Sequence, residues 1–90
     1  MKDTKKYYVY MVRCNDNSLY TGYTVNNLKK RIRAHNEKKG AKYTRSRIPV
    51  KLAYYEIYCN ISDALKREIE IKKLSKLQKE SLITKKFLKL

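Results

Sequence analysis

Ninety residues with an apolar fraction of 42% suffice for one domain and one modest core, and no apolar run nears the roughly 18 residues of a membrane span. Twenty-three lysines and arginines against eight acidic residues leave a net charge of +15, which calls for a polyanionic partner, nucleic acid being the commonest. A single histidine and two cysteines exclude a His/Cys zinc cluster. The polar N-terminus lacks a signal-peptide core, so a cytoplasmic protein is expected, with Cys14 and Cys59 as buried, reduced thiols.

Residues 1–6 are polar and expected to fray. Strands are expected over about 7–14 and 18–24, both rich in aromatic and β-branched residues, with an Asn15-Asp16-Asn17 turn between them. The turn length decides which side chains share a face. A two-residue loop at Asp16-Asn17 would put Tyr10 and Tyr20 on opposite faces. A three-residue loop pairs Cys14 with Ser18, Tyr10 with Gly22 and Val12 with Tyr20. It needs a left-handed residue at its last position, and Asn17 is among the few non-glycine types that tolerate one. The three-residue loop is therefore expected, with both tyrosines on one face and Gly22 leaving room beside Tyr10.

Asn26 and Asn27 can cap a helix over about 28–38, with Leu28 and Ile32 as its apolar stripe and Arg31 and His35 as an i, i+4 pair beside it. Residues 38–49 read as a loop by their glycine and proline. A third strand is expected over 50–58, with Leu52, Tyr54 and Glu56 on one face and Tyr54, Tyr55 and Tyr58 as core and rim residues. Ser62 can cap a helix over about 63–74, and a last helix opens at Ser75 with Leu77, Leu82 and Ile83 as anchors. The fold class is α+β, in the order β-β-α-β-α-α. A single domain spans residues 1–90, ordered over about 7–83, with a monomer or weak dimer expected.

Glu68 is the first candidate for chemistry. A helix places it with Ala64, Leu65, Ile69 and Ile71, where a carboxylate costs several kcal/mol unless it is paired or holds a cation. Lys72 at i+4 or Arg31 across the core would pair it. A hydrated Mg²⁺, which needs little more than one carboxylate and substrate phosphates, would satisfy it equally. Arg31 and His35 are an ordinary solvated face unless they converge with Tyr10, Tyr20 and Glu68 on one concavity. Together those residues would supply the parts of phosphodiester hydrolysis: a cation and an arginine against charge growing on the phosphorane oxygens, and a tyrosine or histidine to take a proton from water. Residues 38–47 carry five positive charges among small and hydroxyl residues. That pattern marks Lys39, Lys42, Thr44, Arg45 and Arg47 as phosphate contacts and Tyr43 as a stacking surface, and Lys72 is counted with them.

These residues, in this order, resemble the GIY-YIG nuclease superfamily, in particular its small stand-alone bacterial members. The likeness covers about residues 7–83. It rests on Tyr8-Val9-Tyr10 and Tyr20-Thr21-Gly22 as the two name-giving triplets, on Leu28-x-x-Arg31-x-x-x-His35-Asn36, on the run Lys39-Gly40-Ala41-Lys42-Tyr43-Thr44-Arg45, and on Ala64-Leu65-x-x-Glu68-x-x-Ile71-Lys72. The resemblance implies a three-stranded antiparallel sheet flanked by helices and metal-dependent hydrolysis of nucleic acid, DNA first, with Mg²⁺ or Mn²⁺ and no small-molecule cofactor or membrane. By the same likeness Glu68 is the metal ligand and Arg31 stabilises the transition state. Tyr10 and Tyr20 are the site tyrosines, and His35 has a base-like or substrate-contacting role. The chain departs from the pattern at Tyr8, which stands for a glycine and is expected to narrow one side of the cleft. It departs again at Thr21, which stands for an isoleucine.

Overall fold

The structure, a computed structural model, describes residues 4–88. Strands β1 (Tyr7–Arg13) and β2 (Leu19–Val25) form a hairpin that sets Tyr10 opposite Gly22, Val12 opposite Tyr20 and Arg13 opposite Leu19. Its turn has three residues. The Cys14 amide donates to the Ser18 carbonyl at 2.8 Å, the Asn17 amide donates to the Cys14 carbonyl at 2.9 Å, and Asn17 is left-handed with φ 69°. The expected register is the one that forms, and both tyrosines share a face.

Helix α1 (Leu28–Asn36) is capped by Asn27, whose side chain accepts from the Lys30 amide at 2.9 Å. It stops earlier than expected because Lys38 turns left-handed at φ 64°, letting the Lys38 and Lys39 amides take the His35 and Ala34 carbonyls. The stretch read as a loop contains one helical turn, α2 (Lys42–Arg45). Strand β3 (Lys51–Tyr58) pairs with the other side of β1, giving an antiparallel sheet in the order β2-β1-β3. Met11 faces Tyr54 while Val12 faces Leu52, so Ala53 is an extra residue on β3. This bulge corrects the expected face: Leu52 and Tyr54 lie on opposite sides. Helix α3 (Ile61–Lys72) starts before the expected Ser62 cap, because Asn60 accepts from the Asp63 amide at 2.9 Å. Helix α4 (Lys76–Leu88) follows, with Ser75 accepting from the Gln78 amide.

The sheet divides two cores. On one face Val9, Met11, Leu19 and Tyr54 are buried under Ala64 and Ile71 of α3, with Leu74, Leu82 and Ile83 around them. On the other, Tyr10, Val12, Cys14 and Val50 are covered by Leu28, with Ile32, Tyr8 and Tyr20 at the margin. Thr21 keeps the β-branched shape of the expected isoleucine at a buried position, although its hydroxyl meets no protein partner among the described residues. Cys14 is buried as expected, whereas Cys59 is exposed. Ile69, grouped with the apolar side of α3, is also exposed. Lys6, expected to fray, is tied to Asn26 by hydrogen bonds of 2.9 and 2.7 Å, while residues 1–3 lie outside the described residues. Among the described residues no helix is long and apolar enough to cross a membrane.

An ionic cluster joins β3 to α3. The Glu56 carboxylate accepts from the Tyr54 and Tyr58 hydroxyls and from Arg67 Nε and Nη2 at 2.9 and 3.0 Å. Burial alone would raise the Glu56 pKa, but the bonds from Arg67 and the two tyrosines outweigh it and hold the carboxyl below its ordinary range.

Candidate active site

On the α1 face the tyrosines, the arginine and the histidine meet. The Tyr10 hydroxyl lies 2.7 Å from His35 Nε2 and accepts from Arg31 Nε at 3.3 Å. The space for it comes from Gly22, where a Cβ would sit 2.7 Å from the hydroxyl oxygen and 3.2 Å from the Tyr20 ring. On the far side of the imidazole, Nδ1 lies 2.8 Å from Thr44 Oγ1, and that hydroxyl donates to the Ala41 carbonyl at 2.9 Å. Backbone passes so close here that a Cβ at Gly40 would fall 2.2 Å from Nδ1.

Tyr10 and His35 are both fully buried, and Arg31 is half-buried. Burial, reinforced by the Arg31 charge, lowers the His35 pKa to about 4, so the imidazole is neutral at physiological pH. Burial also raises the Tyr10 pKa, against the opposing hydrogen bond and charge of Arg31. A sealed histidine cannot touch substrate, which corrects that half of its expected role. Tyr20 is the tyrosine of the pair that keeps solvent exposure. Its ring stands edge-on to His35 at 5.6 Å and stacks on Tyr43 at 5.8 Å.

The basic stretch splits into two groups. Arg47 lies over the Tyr43 ring at 3.9 Å, donates to the Tyr43 carbonyl at 2.8 Å and pairs with Asp16 at 3.1 Å. Tyr43 therefore has both Tyr20 and Arg47 against its ring. Both residues thus already have partners within the protein while keeping part of their surface exposed. Thr44 is fully buried against His35, so it is not a phosphate contact. Lys39, Lys42 and Arg45 do stand at the surface.

Glu68 lies on α3, across the sheet from this cluster, and its charge reaches the Tyr10 phenol. Its side chain is 13% exposed and meets Lys72 at 3.3 Å, so the i+4 pairing weighed from the sequence is present and the Arg31 pairing is not. Lys72 is engaged there and half exposed. Among the described residues no group of three or more His, Cys, Asp or Glu could cage a metal. One largely buried carboxylate with a single lysine partner does fit a hydrated Mg²⁺ or Mn²⁺ completed by substrate oxygens. Tyr8 does not narrow the site. It packs edge-on to Tyr55 at 5.9 Å and borders a groove of about 490 Å³ with Leu28, Lys29, Ile32 and Leu52, none of them in the cluster.

Two supporting roles escaped the sequence reading. Asn36 clips the end of α1 to the start of β3, donating to the Val50 carbonyl at 3.0 Å and accepting its amide at 2.7 Å. Thr44 carries the histidine. An Asn at a helix end and a hydroxyl four residues beyond a loop glycine were the available signals, and neither is specific.

A sheet of this topology carrying Tyr10, Tyr20, Arg31, His35 and Glu68 in this order is that of a GIY-YIG domain. The family model described as the GIY-YIG catalytic domain matches residues 6–81, and the chain belongs to that family. Among its relatives are a UPF0213 protein of Clostridium perfringens, 57% identical over 91% of this chain and 87% of the relative, and one of Staphylococcus haemolyticus, 55% identical over 87% and 94%. The solution NMR structure of a UPF0213 protein of Bacillus halodurans matches with a TM-score of 0.57 at 42% identity, covering 88% of this chain and 83% of that one. An NMR structure of an E. faecalis protein matches with a TM-score of 0.63 at 38% identity, covering 98% and 93%.

Proposed function

We propose that this protein is a divalent-metal-dependent nuclease that hydrolyses a phosphodiester bond in nucleic acid, DNA being the first substrate to test. The observation that carries the reading is the convergence of Tyr10, Tyr20, Arg31 and His35 on one side of the sheet, with the under-paired Glu68 carboxylate within electrostatic reach. Arg31 is held at Nε by Tyr10, and its terminal nitrogens have no protein acceptor among the described residues, which suits them to a scissile phosphate. Tyr20 retains solvent exposure and is the residue best placed to orient the attacking water. Tyr10 and His35, both sealed, position Arg31 and do not contact substrate. Glu68 would hold Mg²⁺ or Mn²⁺, whose charge would add to that of Arg31 against the developing phosphorane. Lys39, Lys42 and Arg45 supply salt-sensitive contacts to the nucleic-acid backbone.

A second reading is a nucleic-acid-binding module without catalysis, and the Glu68–Lys72 pair favours it because that pair already satisfies the carboxylate in part. One experiment separates the two. Cleavage of single-stranded, duplex and branched DNA and of RNA is assayed with Mg²⁺ and Mn²⁺ beside Glu68→Ala. The nuclease reading expects metal-dependent cutting by the wild type, and none by Glu68→Ala with binding retained. Binding without cutting in either metal, or equal cutting by the variant, overturns it.

A further inference from the structure

We propose that Thr44 is a positioning residue that fixes the tautomer of His35 and thereby the direction in which the Tyr10 hydroxyl donates. Its consequence for cleavage rests on the nuclease reading; the tautomer itself does not.

The hydrogen-bond chain has two ends of fixed polarity. Arg31 Nε–H can only donate, and the Ala41 carbonyl can only accept. Between them stand Tyr10, His35 and Thr44, each able to give one proton and accept another. One arrangement satisfies every link: Arg31 Nε–H to the Tyr10 oxygen, Tyr10 O–H to His35 Nε2, His35 Nδ1–H to Thr44 Oγ1, and Thr44 O–H to the Ala41 carbonyl, at 3.3, 2.7, 2.8 and 2.9 Å. The opposite tautomer fails at both ends. Thr44 would spend its proton on Nδ1, leaving the 2.9 Å contact to the Ala41 carbonyl with no hydrogen in it. His35 Nε2–H and Arg31 Nε–H would then both aim at the Tyr10 oxygen, and the phenol proton would have no acceptor among the described residues. The Ala41 amide, 3.4 Å from Nδ1, favours the opposite form, but it is the longest contact in the set.

Thr44 alone among the residues of α2 points inward, and it is fully buried. Its hydroxyl passes the polarity of a backbone carbonyl through the imidazole to Tyr10. The phenol proton then points at the histidine, and the phenol oxygen is free to hold Arg31. Without the hydroxyl, an Nδ1 proton has no acceptor and the Ala41 amide at 3.4 Å favours a bare Nδ1, so only the Arg31 end still asks for the original tautomer and the anchor on Arg31 weakens.

The chain contains one histidine, so protein labelled with ¹⁵N in histidine reports a single ring. At neutral pH the wild type is expected to show a protonated Nδ1 and a bare Nε2. The near-isosteric Thr44→Val should lose that pattern, with the proton shared between the nitrogens or moved to Nε2, and Thr44→Ser should restore it. Cleavage by Thr44→Val should fall in kcat by about tenfold or more with KM little changed, and recover in Thr44→Ser. A wild-type ring protonated at Nε2 overturns the proposal, whether or not Thr44→Val folds. So does a Thr44→Val ring identical to wild type. If the wild type cuts no substrate, the nuclease reading fails while the ring spectra still decide the role of Thr44.

Discussion

Glu56 and Glu68 are both largely buried carboxylates beside α3, and they are provisioned in opposite ways. Glu56 receives two tyrosine hydroxyls and a two-pronged guanidinium, which saturates its oxygens and ties β3 to α3. Glu68 has one lysine contact of 3.3 Å, from a side chain that is half exposed. A second group with spare capacity lies on the opposite face of the sheet. On the α1 side a chain of hydrogen bonds leads outward to Arg31, whose terminal nitrogens have no protein acceptor among the described residues. A saturated network stabilises the fold, whereas an unsaturated one has capacity left for a ligand.

Removing each carboxylate in turn tests that contrast most severely. Glu68→Ala should reduce cleavage by about 10³-fold while shifting unfolding free energy by less than about 1 kcal/mol, because its partner is solvated. Glu56→Ala should do the reverse. Leaving Arg67 with only the exposed Glu70 to pair it should cost about 2 kcal/mol, already discounted for solvent reaching that side chain, with cleavage per folded molecule retained. Denaturant melts and single-turnover assays on both variants measure this, and matching melts would erase the distinction.

The pH dependence of stability sharpens it. An unfolded imidazole takes its proton near 6.5, whereas folded His35 stays neutral down to about 4. The unfolded chain therefore binds more protons between those values. This contribution is complete above pH 6.5 and is lost as pH falls toward 4, amounting to about 3 kcal/mol. Melts from pH 7 to 4 should show the slope, and His35→Gln should flatten it. A wild type equally stable across that window would mean the imidazole is not sealed.

Smaller effects come from backbone positions. Gly40→Ala would press a methyl group onto an imidazole held at both nitrogens, and should cost about 2 kcal/mol in a melt with displacement of the ring signals. Lys38 adopts a left-handed conformation at the end of α1 that glycine takes without strain, so Lys38→Gly should raise stability by about 1 kcal/mol. A loss instead would show that the lysine stem contributes packing there.

The hairpin register was legible because two local facts agreed: Asn17 tolerates a left-handed backbone, and Gly22 leaves the space that a buried Tyr10 ring requires. The start of α1 was legible for a similar reason, since Asn27 caps by contact with its own neighbours. What stayed hidden depended on pairing between distant segments. The bulge at Ala53 is set by the register of β3 on β1, so alternation in β3 could not reveal that Leu52 and Tyr54 part company. The partner of Arg67, Glu56, lies on another element, so nothing in the sequence of the helix itself pointed to their pairing. In residues 38–47 composition marked a basic surface, yet one helical turn aims Thr44 inward and the hairpin's Asp16 claims Arg47. Composition reports which charges exist, not which are already spoken for.

Strand β3 lies at the sheet's border, and Ile57 and Tyr55 are partly exposed along it. The ammonium of Lys86, near the end of α4, donates to the Tyr55 carbonyl and lies over the Tyr55 ring at 3.8 Å. A lysine so placed occupies a backbone acceptor that a foreign strand would need and surrounds it with positive charge. The last turns of α4 therefore act as a guard against strand-to-strand association, and shortening the chain before Lys86 would expose a sticky border that a basic surface alone does not cover.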